Sequence, residues 1–218
     1  MSRKVRETQR GHKRRKTNPL VIIVCDAEET EPVYFNNFKD KNKPLRVEIA
    51  TGAAGKGYSE MVKEAERARN KHAKGYAGKW VLWCVSDVDV DPNTPGSREA
   101  KTKELRKYDE ALKKEGFRLA LSNPCFELWY LLHFTYTTAN FQDYKAIKTQ
   151  QLDKANRLPG YEKPKNYWSV LGGKANTAIA NAKKLKEHHE ELCQFNPLDA
   201  NCNPYTNVWE LVEELIKP

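Results

Sequence analysis

The chain has 218 residues, enough for one α/β domain with a sizeable core. Hydrophobic residues make up 39% and charged residues 31%, so the surface is heavily charged, yet ten Tyr, seven Phe and five Trp exclude a disordered chain. The net charge is +9, and most of it lies at one end.

Residues 1–16 carry Arg3, Lys4, Arg6, Arg10, Lys13, Arg14, Arg15 and Lys16 against a single acid, Glu7, which leaves the rest of the chain a net charge of only +2. The basic signal therefore reads as a tail and not as a property of the domain. A tail without apolar periodicity cannot form a core element, and its charge suits a phosphate backbone; a solvated leader is the plainer alternative. A presequence is disfavoured by the near absence of Leu, Ala and Ser. No signal peptide and no apolar run of membrane-spanning length is visible. The five cysteines (Cys25, Cys84, Cys125, Cys193, Cys202) form no C-x-x-C pair. A cytoplasmic protein with reduced thiols and no membrane partner is expected.

In chain order, residues 19–25 form a continuous apolar run rich in β-branched side chains, which predicts a buried strand. A polar loop, 26–30, leads to helical spacing over 31–38. Residues 45–50 alternate as a second strand, 52–57 form a glycine loop, and 58–73 a charged helix with Met61, Ala65 and Ala68 inward. Residues 79–86 are a third strand, apolar on both faces. A proline-containing loop precedes a helix over 97–115 that stops at Gly116. Residues 117–121 are the fourth strand. Strands apolar on both faces, alternating with helices, predict a parallel sheet covered by helices, with right-handed crossovers placing all strand carboxyl ends at one edge.

Beyond the fourth strand the pattern turns helical. Asn123 reads as an N-cap with Pro124 at the first helical position, opening an apolar helix over 126–134. Further helices are expected over 141–155, 174–194 and 207–217, with an aromatic, proline-containing connection at 158–168. The expected organisation is a basic tail over 1–17, an α/β core over 18–134 and a helical C-terminal extension over 135–218 packed on the core.

Two acidic clusters follow buried strands: Asp26-Ala-Glu-Glu-Thr-Glu31 after the first and Asp87-Val-Asp-Val-Asp91 after the third. In open α/β sheets, ligand sites lie beyond the strand carboxyl ends. Hard cations such as Mg²⁺ or Mn²⁺ take oxygen ligands and complete their shell with water and substrate phosphate. Alternation along an extended segment would set Asp87, Asp89 and Asp91 on one side, where such close charges need a cation. The bland reading is a set of polar loop acids. Glu127 begins an otherwise apolar helix beside these clusters, where it either supports the site or complements the helix dipole. His133, nearly two turns on, reads as structural. The loop Gly52-Ala-Ala-Gly-Lys-Gly57 lacks Walker A spacing, so Lys56 is at most a phosphate contact.

The segments Val-Ile-Ile-Val-Cys-Asp-Ala-Glu-Glu-Thr-Glu-Pro-Val-Tyr-Phe35, Trp-Cys-Val-Ser-Asp-Val-Asp89, Ser-Asn-Pro-Cys-Phe-Glu-Leu-Trp-Tyr-Leu-Leu-His-Phe134 and Asn-Pro-Tyr-Thr-Asn-Val-Trp-Glu-Leu-Val212 together resemble the RloB-like family. The resemblance implies a compact Toprim-like parallel β-sheet flanked by helices. It also implies Mg²⁺-dependent chemistry on nucleic-acid phosphodiesters in prokaryotic antiviral defence, with other defence-system proteins as further partners. By the Toprim pattern, Asp87 and Asp89 hold metal and the acid after the first strand transfers a proton, while Glu31 matches the Glu of the family's Thr-Glu pair. Here that acid is Asp26, followed by Ala27, where the family usually has Glu-Gly. Asp26 is one methylene shorter, and Glu28 is its substitute only if the loop shifts. The expectation is an endonuclease on DNA or RNA, with Asp26, Glu31 and Glu127 catalytic and Asp87, Asp89, Glu31 and Asp91 at the metal. A non-catalytic nucleic-acid-binding protein and a nucleotidyl transferase are the alternatives on the same scaffold.

Overall fold

The computed structural model describes residues 17–40, 43–52, 55–91, 93–192 and 195–217. The basic tail, Arg3 to Lys16, lies outside the described residues. The sheet is built from β1 (Leu20–Cys25), β2 (Arg46–Ala50), β3 (Trp80–Asp87) and β4 (Arg118–Asn123), joined by helices α1 (Thr30–Asn36), α2 (Tyr58–His72) and α3 (Ser97–Lys114). The first four strands are parallel, in the order β2-β1-β3-β4. This is the α/β architecture that strands apolar on both faces require, because each face must be covered.

The pleat sorts the side chains into two cores. Leu20, Ile22, Val24, Leu82 and Cys84 pack with Met61, Ala65, Leu105 and Leu112 under α2 and α3. Val21, Ile23, Cys25, Trp83 and Val85 point the other way, against Tyr34, Phe35 and the buried helix α4 (Glu127–Leu132). The C-terminal part joins this second core through α5 (Tyr144–Ile147), α6 (Trp168–Leu171), α7 (Ala175–Glu191) and α8 (Val208–Ile216).

Three expectations change. Asn123 is not a helix cap: it ends β4, and its buried amide donates to the carbonyls of Ala200 (3.1 Å) and Cys202 (2.8 Å), so the helix begins only at Glu127. The helix expected over 141–155 is a single turn, capped by Asp143 accepting from the Ala146 amide, followed by a wider turn over Lys148–Leu152. It stops at Asp153, whose carboxylate accepts the Tyr161 amide at 2.8 Å and folds the chain back so that Leu152, Leu158 and Tyr161 all enter the core.

The third change is a fifth strand, β5 (Tyr205–Thr206), which adds antiparallel to β4. Beyond it the Asn207 side chain takes over the ladder, accepting from the Leu121 amide (2.6 Å) and donating to the Leu119 carbonyl (2.9 Å). A two-residue strand is completed by one side chain acting as backbone. Asn207→Ala leaves both groups without these partners and is expected to cost about 2–4 kcal/mol, read as a lower urea midpoint with an unchanged slope.

Candidate functional site

The carboxyl ends of β1, β3 and β4 open into a cleft of about 380 Å³ lined by Glu28, Glu29, Glu31, Asp87, Glu127 and Lys163, among others. Strand parity decides which acids enter it. Asp87 follows Trp83 and Val85 on the side of α1 and α4, where the charges of Glu31, in the first turn of α1, and Glu127, the first residue of α4, act on it. Glu31 and Glu127 are each only 1% exposed, a degree of burial that carboxylates avoid unless something compensates their charge.

Compensation is incomplete. Glu127 Oε1 accepts from the Tyr161 hydroxyl at 3.1 Å and faces the Lys163 ammonium at 3.7 Å. The second oxygen of Glu127, one oxygen of Glu31 and one of Asp87 are buried without any hydrogen-bond partner. Burial pushes Glu31 up to about 8; its own backbone amide opposes this, Glu127 adds repulsion and Lys163 relieves some of it. Asp87 is also held well above the ordinary carboxylate range, by burial first and then by the charges of Glu31, Asp89 and Glu127. For Lys163, burial disfavours the charge, but Glu127 and then Asp87 keep the ammonium above its ordinary value.

Asp26 and Asp89 lie close enough for their charges to act on each other and on Glu31 and Asp87 respectively. Asp26 prolongs β1, its amide donating to the Val85 carbonyl at 3.0 Å. Burial, with repulsion from Asp89, raises Asp26 to about 6, against a pull from Lys101 of α3. Asp89 has φ +37°, a left-handed conformation that Asp tolerates better than most side chains, and its amide donates to the Pro124 carbonyl at 3.2 Å. Its carboxyl is also raised, by desolvation chiefly, with Lys163 opposing. Tyr58, stacked on Tyr108 at 4.5 Å, donates its hydroxyl to the Asp87 carbonyl at 3.0 Å and so anchors the end of β3 from the α2 side.

The alternation expected for Asp87, Asp89 and Asp91 therefore does not hold, because the strand ends at Asp87 and the chain turns at Asp89. Asp91 is exposed and its carboxylate closes its own turn, accepting from the Thr94 hydroxyl (2.6 Å) and then the Asn93 amide (2.9 Å), which hold it below the usual carboxylate range. Glu28 is exposed at the mouth. Lys56 is exposed and donates to the Gly52 carbonyl at 3.0 Å; its neighbour Gly55 lines the cleft. His133 is structural: Tyr34 Oη and the Trp129 carbonyl contact its two ring nitrogens, and burial lowers it to about 4.

Sequence reading missed Tyr161 and Lys163. Both lie in the aromatic connection after α5, where Tyr161-Glu-Lys-Pro-Lys165 is a basic patch inside an otherwise apolar stretch. That patch is the one local signal pointing to them.

The donor set suits a hard divalent cation in kind, since it is all carboxylate oxygen with three oxygens unpartnered. Among the described residues no three His, Cys, Asp or Glu side chains close on one point as they stand. A shell with few protein ligands, completed by water and substrate phosphate, is the one this arrangement accommodates.

Fold and cleft together define an open α/β domain with an acidic, lysine-walled site at its carboxyl edge. The chain belongs to the RloB-like family, whose model matches residues 21–215 and so covers the sheet, the cleft and the C-terminal helices. No curated protein and no solved structure matches it. No helix among the described residues is long and apolar enough to cross a membrane.

Proposed function

We propose that this protein is a metal-dependent endonuclease that hydrolyses phosphodiesters of DNA or RNA, in the setting of prokaryotic antiviral defence. The observation that carries the reading is that Glu31, Asp87 and Glu127, from three different elements, line one cleft with one unpartnered buried oxygen each, Lys163 facing Glu127. Buried carboxylate oxygens without partners are costly, and a site that keeps three such oxygens is organised for a cation or a proton. Asp87 and Glu31, with Asp89 at the rim, would hold Mg²⁺ or Mn²⁺, which supplies counter-charge and polarises the phosphoryl group.

The chain's own groups divide the remaining work. Lys163 presents positive charge to the phosphate, its ammonium held over the Tyr144 ring at 4.4 Å from the ring centre. Tyr161 fixes Glu127, and Glu127 in turn orients Lys163. Asp26, raised to about 6, is substantially ionised at neutral pH and takes the proton of the attacking water as the new O–P bond forms; the bond to the leaving oxygen breaks and that oxygen takes up a proton from solvent. Other defence-system proteins are expected partners, and the cytoplasm the expected compartment.

One observation favours a second reading, a nucleic-acid-binding protein without catalysis. Lys163 already offsets part of the acidic charge, and the described carboxylates do not close on a single point. One experiment separates the two: purified protein with Mg²⁺ or Mn²⁺ against labelled DNA and total RNA, beside Asp87→Ala/Asp89→Ala. Product from the wild type alone, with the variant still folded by circular dichroism, supports the nuclease. Salt-sensitive binding with no product at any metal concentration supports the second reading, and equal cleavage by the variant overturns the site.

A further inference from the structure

The domain's small net charge conceals an uneven distribution. The segment over residues 144–174 carries seven cations against two acids, Asp153 and Glu162. Only Lys163 among these cations makes an ion pair within the described residues. Lys145, Lys148, Lys154, Arg157, Lys165 and Lys174 make none there, and all are exposed or half-buried. Helix α3 also carries seven cations, but four carboxylates are interleaved with them and two ion pairs form, Lys101 with Glu104 and Lys113 with Asp109.

Position distinguishes the segment further. One of its residues, Lys163, lines the acidic cleft, and Lys165 lies over the Tyr167 ring two residues on. The backbone that carries these lysines is held in place. Asp153 accepts the Tyr161 amide, Tyr167 accepts the Glu162 amide at 2.8 Å, and Asn166 is paired with Asn37 of the α1 end at 3.0 Å. At the other end, Lys174 lies 4.4 Å from the Phe134 ring centre, beyond α4. A pinned surface of unpaired cations that ends in a catalytic-type cleft has the charge and the placement of a phosphate track.

We propose that residues 144–174 form the track along which a nucleic-acid backbone is held and led into the cleft, with Lys163 its innermost cation. This rests on the reading that the cleft takes nucleic acid, and it extends the binding surface from the N-terminal tail and Lys56 to a further face of the folded domain. Each phosphate neutralised by a lysine releases counterions, so the track must appear in the salt dependence of binding.

The test uses the full chain in EDTA, a labelled 30-base-pair DNA duplex and an RNA duplex of equal length, and fluorescence anisotropy across salt. Lys145→Gln/Lys148→Gln/Lys165→Gln/Lys174→Gln is compared with Lys103→Gln/Arg106→Gln/Lys107→Gln/Lys114→Gln, which removes the same charge from α3. On the better-bound duplex, the first variant is expected to lower the slope of log K against log salt by about 3 and to weaken binding at least ~10-fold near physiological salt. The α3 variant is expected to change either by far less. Equal losses from both variants reduce the effect to general electrostatic attraction and overturn the track, as does an unchanged slope in the first. Because binding is read without divalent metal, a wild type that binds through the track but yields no product in the cleavage assay removes the nuclease reading and leaves the track standing.

Discussion

Glu31→Gln is expected to make the metal-free protein more stable, not less, at pH 8.5, by about 1–3 kcal/mol. The sign follows from the carboxyl's raised value, about 8 in the folded protein against an ordinary 4.5. Below about pH 4.5 folded and unfolded chains both hold this proton, and stability is undiminished. Above it the unfolded chain releases the proton while the folded chain retains it, so stability falls with rising pH until the folded carboxyl also ionises near pH 8. Asp87, raised by the same burial and by Glu31 itself, acts in the same direction. Gln at position 31 carries no titrating proton and removes the repulsion on Asp87 and Glu127. At about 2–4 °C per kcal/mol for a chain of this size, the gain is several degrees by thermal melting in EDTA. Mg²⁺ or Mn²⁺ should raise the wild-type melting temperature much more at pH 8.5 than at pH 5, where protons already neutralise the site, and should do little for the variant. A Glu31→Gln protein less stable than wild type at pH 8.5, or a metal effect equal at both pH values, would sink the assignment of these acids to a cation site.

Lys163→Gln is expected to reduce kcat/KM for phosphodiester cleavage by about 10²–10³-fold, the range seen when one preorganised charged or hydrogen-bonding group is removed from a reacting centre. The ammonium faces Glu127 at 3.7 Å and acts on Glu31, Asp87 and Asp89, lowering the affinity of all three for protons. Its removal should therefore also shift the acidic limb of the pH–rate profile upward, an effect that a fold defect would not produce. Lys163→Arg keeps the charge but changes its reach and should restore the pH profile more than the rate. A Lys163→Gln enzyme with wild-type kcat/KM and pH profile would return Lys163 to the role of a structural partner of Glu127.

Much of this site is legible in the order of the amino acids. The β-branched runs over 19–25 and 79–86, apolar on both faces, require burial between helix layers, and the acids that follow them fall at the carboxyl edge for that reason alone. The same runs account for the parallel order of β1 and β3 at the centre of the sheet. The motif residues carry the family resemblance as well, which the family match over 21–215 bears out.

Other features depend on contacts between residues far apart in the chain. Asn123 has the local chemistry of a helix cap, but the Ala200–Cys202 loop captures its amide, and local propensity yields to two buried hydrogen bonds. Strand β5 is two residues long and exists because Asn207 continues the β4 ladder, a relation that spans more than 80 residues of sequence. Asp91 would join Asp87 and Asp89 only on an extended chain, which the left-handed turn at Asp89 breaks.

The sequence by itself determined that two sets of acids stand at the ends of buried strands, since periodicity and β-branching are local properties. The tertiary structure decided which of them meet. Pleat parity turned Asp87 toward α1 and α4, and the helix starts at Glu31 and Glu127 completed the buried group. The fold-back at Asp153 then carried Tyr161 and Lys163 to them from a connection with no periodic signal.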